Sequence, residues 1–252
     1  MKLANNHIFV TGGSKGIGKA IVRDCAEAGA KVSFVDIDVT AGEAFAKEMR
    51  DAGFTVAFAE ADVTDFQALE RAYKSLVAQF GEVTGVVNNA GVNSYADPVT
   101  MTDEEWDAFF AVDMKAIWLT AKLALPAMRI AKKGAIVIIG SIHGRLTFPN
   151  FFPYGAAKSA ILGLMKSLGV DEGKHNIRTN TVAPGYVLTP LTQGWLDAEA
   201  GRTERSLSIQ PMGRMGQPHE IAKVVSFLLS DDASFVNASD WAVDGGLSAR
   251  SA

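Results

Sequence analysis

Tyr154 and Lys158 stand four residues apart, and Ser141 lies thirteen residues before the tyrosine. A helical pattern opens at Tyr154, so the phenol and the ammonium share one helix face. An ammonium ~4 Å from a phenol, at an effective dielectric of ~20, contributes about 4 kcal/mol toward the phenolate. That equals roughly three pKa units, enough to bring a phenol from ~10 toward neutrality, where proton transfer is most effective. Such a group can protonate the alkoxide that forms when a carbonyl accepts hydride, or take the proton in the reverse direction. Ser141 follows the apolar run Ala135 to Gly140, at the edge of a sheet where α/β folds bind ligands. Its hydroxyl can donate to the substrate oxygen. Tyr-x-x-x-Lys alone arises often by chance; the serine at a strand end and a glycine-rich turn near the start of the chain give it weight.

That turn reads Thr-Gly-Gly-Ser-Lys-Gly-Ile-Gly over residues 11–18, between the strand-like run Ile8-Phe9-Val10 and a helical pattern. Gly12 permits a tight turn, Gly16 a close approach to a pyrophosphate, and Gly18 close packing of helix on strand. The helix start offers free N–H groups to phosphate oxygens. Asp36 ends the second strand, 18 residues past Gly18, where its carboxylate can accept hydrogen bonds from the adenosine ribose and repel the extra phosphate of NADP. Lys15 argues the other way, since a cation in the loop could meet that phosphate. An exposed lysine can swing away, whereas a close carboxylate cannot, so the expected cofactor is NAD.

These groups need a scaffold, and the apolar pattern supplies one. Strand-length runs occur at Lys31 to Asp36, Thr55 to Glu60, Gly85 to Asn88, Ala135 to Gly140, Arg178 to Val182 and Trp241 to Val243. Helical patterns alternate with them, most clearly at Asp103 to Ala131, Tyr154 to Gly173 and Pro218 to Ser230. Several strands are almost wholly apolar, which predicts burial on both faces. The expected fold is a single α/β domain over residues 1–252, a Rossmann-like doubly wound parallel sheet of about seven strands flanked by helices. Residues from about 186 to 215 lack a sustained period and read as a substrate lid.

Composition narrows the class. The 252 residues are 48% hydrophobic and carry a net charge of −4, with no basic face for nucleic acid. No apolar run reaches the ~20 residues that span a bilayer, and no secretory leader stands at the start, so a cytoplasmic protein is expected. The single cysteine, Cys25, excludes an internal disulfide and a multi-cysteine metal site. No metal is expected.

Taken together, the motifs resemble those of the short-chain dehydrogenase/reductase family, across essentially the whole chain. Thr11-Gly12-x-x-x-Gly16-x-Gly18 is similar to its cofactor loop, Asp62-Val63 to its adenine-contacting pair, and Asn88-Asn89-Ala90-Gly91 to its strand-four motif. Ser141, Tyr154 and Lys158 match its catalytic residues, Pro184-Gly185 and Thr189 its nicotinamide-facing segment, and Asp244-Gly245-Gly246 its C-terminal motif. The resemblance implies a cofactor face made of Gly12, Ser14, Lys15, Gly16, Ile17, Gly18, Asp36, Ile37, Asp62, Val63, Asn89, Ala90, Gly91, Tyr154, Lys158, Pro184, Gly185, Val187 and Thr189. It also implies a homotetramer. The apolar face of 103–131, with Trp106 and Trp118, and the small residues Gly155, Ser159 and Gly163 suit helix packing between subunits. One position departs from the pattern. The family's fourth catalytic residue is an asparagine, and Asp113 stands there. If ionised, it would stabilise the Lys158 ammonium and oppose ionisation of Tyr154.

The substrate is a small molecule. Ser141-Ile142-His143 and the following Phe148 to Tyr154 segment are similar to bacterial glucose 1-dehydrogenases, which favours a sugar or polyol. Asn93, His143, Arg145, Asn150 and Gln193 could supply donors and acceptors to its hydroxyls. Tyr186 and Trp195 could form an apolar wall. A 3-oxoacyl-thioester reductase is an alternative that would use NADPH; Arg145 could greet a carboxylate in a hydroxy-acid enzyme; a hydroxysteroid dehydrogenase is a further alternative. A dinucleotide-binding sensor without turnover would not need Ser141, Tyr154 and Lys158 together.

Overall fold

The computed structural model describes residues 1–250. Seven strands lie in the order β3-β2-β1-β4-β5-β6-β7, all neighbours parallel. They are β1 (His7–Thr11), β2 (Lys31–Asp36), β3 (Val56–Glu60), β4 (Gly85–Asn88), β5 (Gly134–Ile139), β6 (Ile177–Pro184) and β7 (Asp240–Val243). The helices are α1 (Gly16–Glu27), α2 (Val39–Asp51), α3 (Phe66–Phe80), α4 (Asp103–Phe110), α5 (Ala116–Ala131), α6 (Tyr154–Glu172), α7 (Pro190–Asp197), α8 (Arg202–Ser208) and α9 (Pro218–Leu229).

Successive strand residues point to opposite faces. Ile8, Val10 and Val137 therefore join a core with residues of α1, α2 and α9, while Phe9, Ile136 and Ile138 join another with residues of α3, α5 and α6. Both faces being covered explains why the central strands read as unbroken apolar runs. The order of the sheet reverses between β1 and β4. Ligands in such sheets bind at that switch point, beyond the carboxyl ends of the strands.

Two expectations change. The continuous helix over 103–131 is instead α4, a π turn at Ala111–Lys115, and α5. The extra residue in the wide turn carries Asp113 into the interior, where it is 1% exposed. The segment 186–215, read as irregular, holds two short helices, α7 and α8. Pro190 opens α7 and Thr189 caps it by accepting the Thr192 N–H at 3.1 Å. Helices of 8 and 7 residues are too short for a period to emerge from the sequence.

Candidate active site

A cleft of about 840 Å³ runs along the carboxyl ends of β1, β2, β4, β5 and β6. Every residue expected on the cofactor face lines it except Gly18, which lies beneath the turn. Gly12 has a φ of +66° and Gly16 one of +53°, a region that glycine adopts at no steric penalty. At Gly18 a Cβ would fall 2.0 Å from the Gly12 carbonyl oxygen, so no larger residue fits. The loop is held from below. Asn89 donates from its side chain to the Thr11 and Gly12 carbonyls at 3.1 and 2.8 Å, and Thr11 Oγ1 accepts the Asn89 and Ala90 N–H groups at 3.1 Å each. The Asn89 side chain therefore builds the loop. Helix α1 begins without a side-chain cap and without an acidic residue in its first turn, leaving its leading N–H groups for a ligand.

Asp36 is anchored by the same loop. Its Oδ2 accepts from the Ser14 N–H at 3.0 Å and the Ser14 hydroxyl at 2.5 Å, and its Oδ1 accepts from the Asp38 N–H at 3.1 Å. Lys15, the one loop cation, is drawn to Asp38 Oδ2 at 2.5 Å. That contact raises the lysine above its ordinary value and lowers Asp38 below its own. Asp38 escapes sequence reading because it looks like a helix cap, a role it also fills by accepting the Ala41 N–H at 2.9 Å. Asp62 accepts from the Thr64 N–H and hydroxyl at 2.8 and 2.7 Å, which fixes the wall on the far side.

Ser141, Tyr154 and Lys158 all line the cleft. Ser141 stands two residues beyond β5 and accepts the His143 N–H at 3.2 Å. Tyr154 opens α6, and Lys158, one turn on, places its Nζ 5.2 Å from the tyrosine ring centre. Lys158 is buried. Desolvation opposes its ammonium, but Tyr154 and Asp113 outweigh that and leave its pKa raised. Asp113 Oδ2 lies 3.0 Å from Lys158 Nζ.

Beside this group lies a small pocket of about 90 Å³, walled by Tyr95, His143, Phe151, Tyr154, Tyr186 and Trp195. Tyr186 and Trp195 stack at 5.8 Å with planes 16° apart. His143 packs on Phe151 at 4.2 Å and edge-on to Tyr154 at 5.3 Å. Its Nδ1 is tied to Thr147 Oγ1 at 3.0 Å. Burial, aided by Lys158, pushes His143 down to about 4, so it is neutral at ordinary pH. Asn93 reaches the pocket and donates to the Tyr95 hydroxyl at 2.9 Å. No lysine or arginine lines this pocket.

Three expected substrate contacts are placed elsewhere. Arg145 donates to the Asp240 carboxylate and carbonyl, both at 2.6 Å, and faces a separate groove. A partly buried carboxylate holds it there by charge-assisted hydrogen bonds. Asn150 lines that same groove, on a turn with φ +68°. Gln193 is exposed on the outer face of α7 and donates to Asp197 at 2.8 Å, the usual helical i, i+4 pairing. Conversely Tyr95, Phe151 and Thr192 line the pocket, though nothing in their local sequence sets them apart as ligand contacts.

Comparison with known proteins agrees with this geometry. A family model described as enoyl-(acyl carrier protein) reductase matches residues 12–248. The chain is 37% identical over 251 residues to 2-(S)-hydroxypropyl-CoM dehydrogenase 3 of Xanthobacter autotrophicus, covering 98% of each. It is 34% identical over 247 residues to a 3-oxoacyl-(acyl-carrier-protein) reductase of Thermotoga maritima, covering 98% of this chain and 99% of the other. Among solved structures, a gluconate 5-dehydrogenase from Burkholderia cenocepacia in complex with NADP and tartrate superposes with a TM-score of 0.93 at 30% identity, over 99% of this chain and 98% of that one.

Proposed function

The chain belongs to the short-chain dehydrogenase/reductase family, and we propose that it oxidises a secondary alcohol or hemiacetal of a small neutral sugar or polyol, reversibly, with NAD. The coarser part of this reading, a nicotinamide-dependent oxidoreductase acting on CH–OH groups, comes with the family. The observation that carries the chemistry is that Ser141, Tyr154 and Lys158 line one dinucleotide-sized cleft.

The residues present fit the cofactor. The glycine turn leaves room a Cβ would fill, and the uncapped start of α1 offers N–H donors to a pyrophosphate. Asp36, which lines the cleft, would accept hydrogen bonds from an adenosine ribose. When bound, the nicotinamide supplies the hydride acceptor or donor. In the oxidation direction Ser141 donates a hydrogen bond to the alcohol oxygen and fixes it. Tyr154, in its phenolate form, takes the hydroxyl proton. Lys158 favours that form through its charge and can hold the nicotinamide ribose. In reduction Tyr154 returns the proton to the developing alkoxide.

The preference for NAD rests on two carboxylates. Asp36 would repel a 2′-phosphate, and Asp38 already occupies Lys15, the cation that could have welcomed it. The substrate reading rests on the pocket. Aromatic faces suit the C–H faces of a sugar ring, while Asn93, Ser141 and His143 offer polar edges, and the absence of lysine and arginine from its lining favours a neutral ligand. A 3-oxoacyl thioester reductase would favour NADPH, which Asp36 disfavours. A homotetramer belongs to the same proposal, supported by Trp106 and Trp118, 39% and 47% exposed on α4 and α5. A light-scattering mass of one chain would contradict it. No helix among the described residues is long and apolar enough to cross a membrane, and a cytoplasmic location completes the reading.

The test is a panel of neutral sugars, polyols, hydroxy acids, cyclic alcohols and 3-oxoacyl thioesters with NAD and NADP, followed by reduced-nicotinamide absorbance. Highest kcat/KM for a neutral polyhydroxy compound with NAD is expected. A clear preference for an acid, a thioester or NADP would overturn the proposal.

A further inference from the structure

The buried side chain of Asp113 does more than close the π turn. Its Oδ1 accepts the Val92 N–H at 2.7 Å, tying the segment after β4 to the turn. Its Oδ2 lies 3.0 Å from Lys158 Nζ, an ion pair between two buried side chains. The Asp113 side chain is fully buried and that of Lys158 is 8% exposed. An asparagine would make the Val92 bond equally well. The Val92 contact therefore does not account for a carboxylate, whereas the Lys158 contact does.

We propose that Asp113 is a positioning residue that offsets part of the Lys158 field at Tyr154, so that this carboxylate sets the pH above which the enzyme oxidises alcohols. The kinetic half of this inference rests on the alcohol dehydrogenase reading. A lone ammonium beside the phenol would favour the phenolate strongly. A carboxylate in contact with that ammonium pulls the net field the other way, and burial lets both charges act at short range. The other titratable groups facing this centre are His143, Tyr95 and Tyr186. Burial lowers the first to about 4 and raises the two tyrosines. All three are neutral near pH 7, so Lys158 and Asp113 dominate the field at the phenol.

Two variants separate charge from shape. Asp113→Asn keeps the Val92 contact, and Asp113→Ala removes the side chain; both delete the charge. The full-length chain, with and without NAD, is titrated through the ultraviolet phenolate band, with each variant's Tyr154→Phe counterpart as its blank. The band is expected to emerge about one pH unit lower in both variants. The acid limb of kcat/KM for oxidation should move the same way, giving about tenfold more activity, relative to each plateau, on that limb. No shift, an upward shift, or a shift in only one variant would overturn the role. Thermal melting checks that each variant is folded. A chain that oxidises no alcohol would end the functional reading, while the phenolate titration would still decide the role of Asp113.

Discussion

The two ends of the cleft are built on different principles. At the cofactor end, the shape comes from backbone and short motifs at strand ends: Gly12, Gly16 and Gly18, with Asn89 and Thr11 bonding the loop from below. At the substrate end, the shape comes from side chains of separate loops: Tyr95, His143, Phe151, Tyr186 and Trp195. The first end has little freedom to vary without breaking the fold. The second can exchange one aromatic ring for another while the catalytic group stays in place. Relatives with the same fold and different named substrates are what such a division produces.

Substitutions at the rigid end should have the largest effects. Gly18→Val drives a side chain into the Gly12 carbonyl, so we expect loss of folding or at least a hundredfold weaker NADH binding, read by melting and nicotinamide fluorescence. A folded variant with ordinary affinity would show that the loop is not rigid. Next comes selectivity. Replacing Asp36 with Ser and Asp38 with Asn together removes the repulsion and frees Lys15. The NAD over NADP ratio of kcat/KM should fall about a hundredfold, and an unchanged ratio would remove both residues from the account.

At the adaptable end the effects are smaller. Trp195→Ala removes one partner of the Tyr186 stack and should raise KM about tenfold with little change in kcat or in NADH binding. A fall in kcat at constant KM would place Trp195 nearer the reacting atoms. Smallest is a pH effect on stability. The folded His143 lies near 4, below its ordinary 6.5, because it is buried. Its contribution is present above ~6.5 and is lost as pH falls toward about 4, since the unfolded chain then binds the extra proton. His143→Phe should therefore lessen the acid-induced drop in Tm over that window by roughly 5 °C. Equal drops in both proteins would contradict the burial of a neutral imidazole.

The same division governs how much was legible in the sequence. The strands, the glycine turn, Asp36 and the Ser141–Tyr154–Lys158 set were readable because each is local: an apolar run, a spacing, a residue at a strand end. Arg145 lies away from the pocket because Asp240, 95 residues on, engages it and leaves no local trace, and Gln193 pairs with Asp197 along α7, a helix too short to be read as one. Tyr95 has no local mark of a ligand contact, because an aromatic residue in a loop reads as packing until tertiary structure brings it to one wall with His143 and Phe151. The π turn was hidden because an inserted residue barely disturbs a helical period. Asp38, which looks like an ordinary helix cap, shows its second partner only once α2 and the glycine loop are side by side.

In the proposed reaction Tyr154 exchanges a proton with the substrate beside a bound nicotinamide. Replacing Tyr154 with Phe removes only the hydroxyl. Turnover should fall by about a thousandfold or more while NADH binding, followed by its fluorescence, stays within about twofold. Turnover close to that of the unmodified chain, with the cofactor still bound, would contradict it.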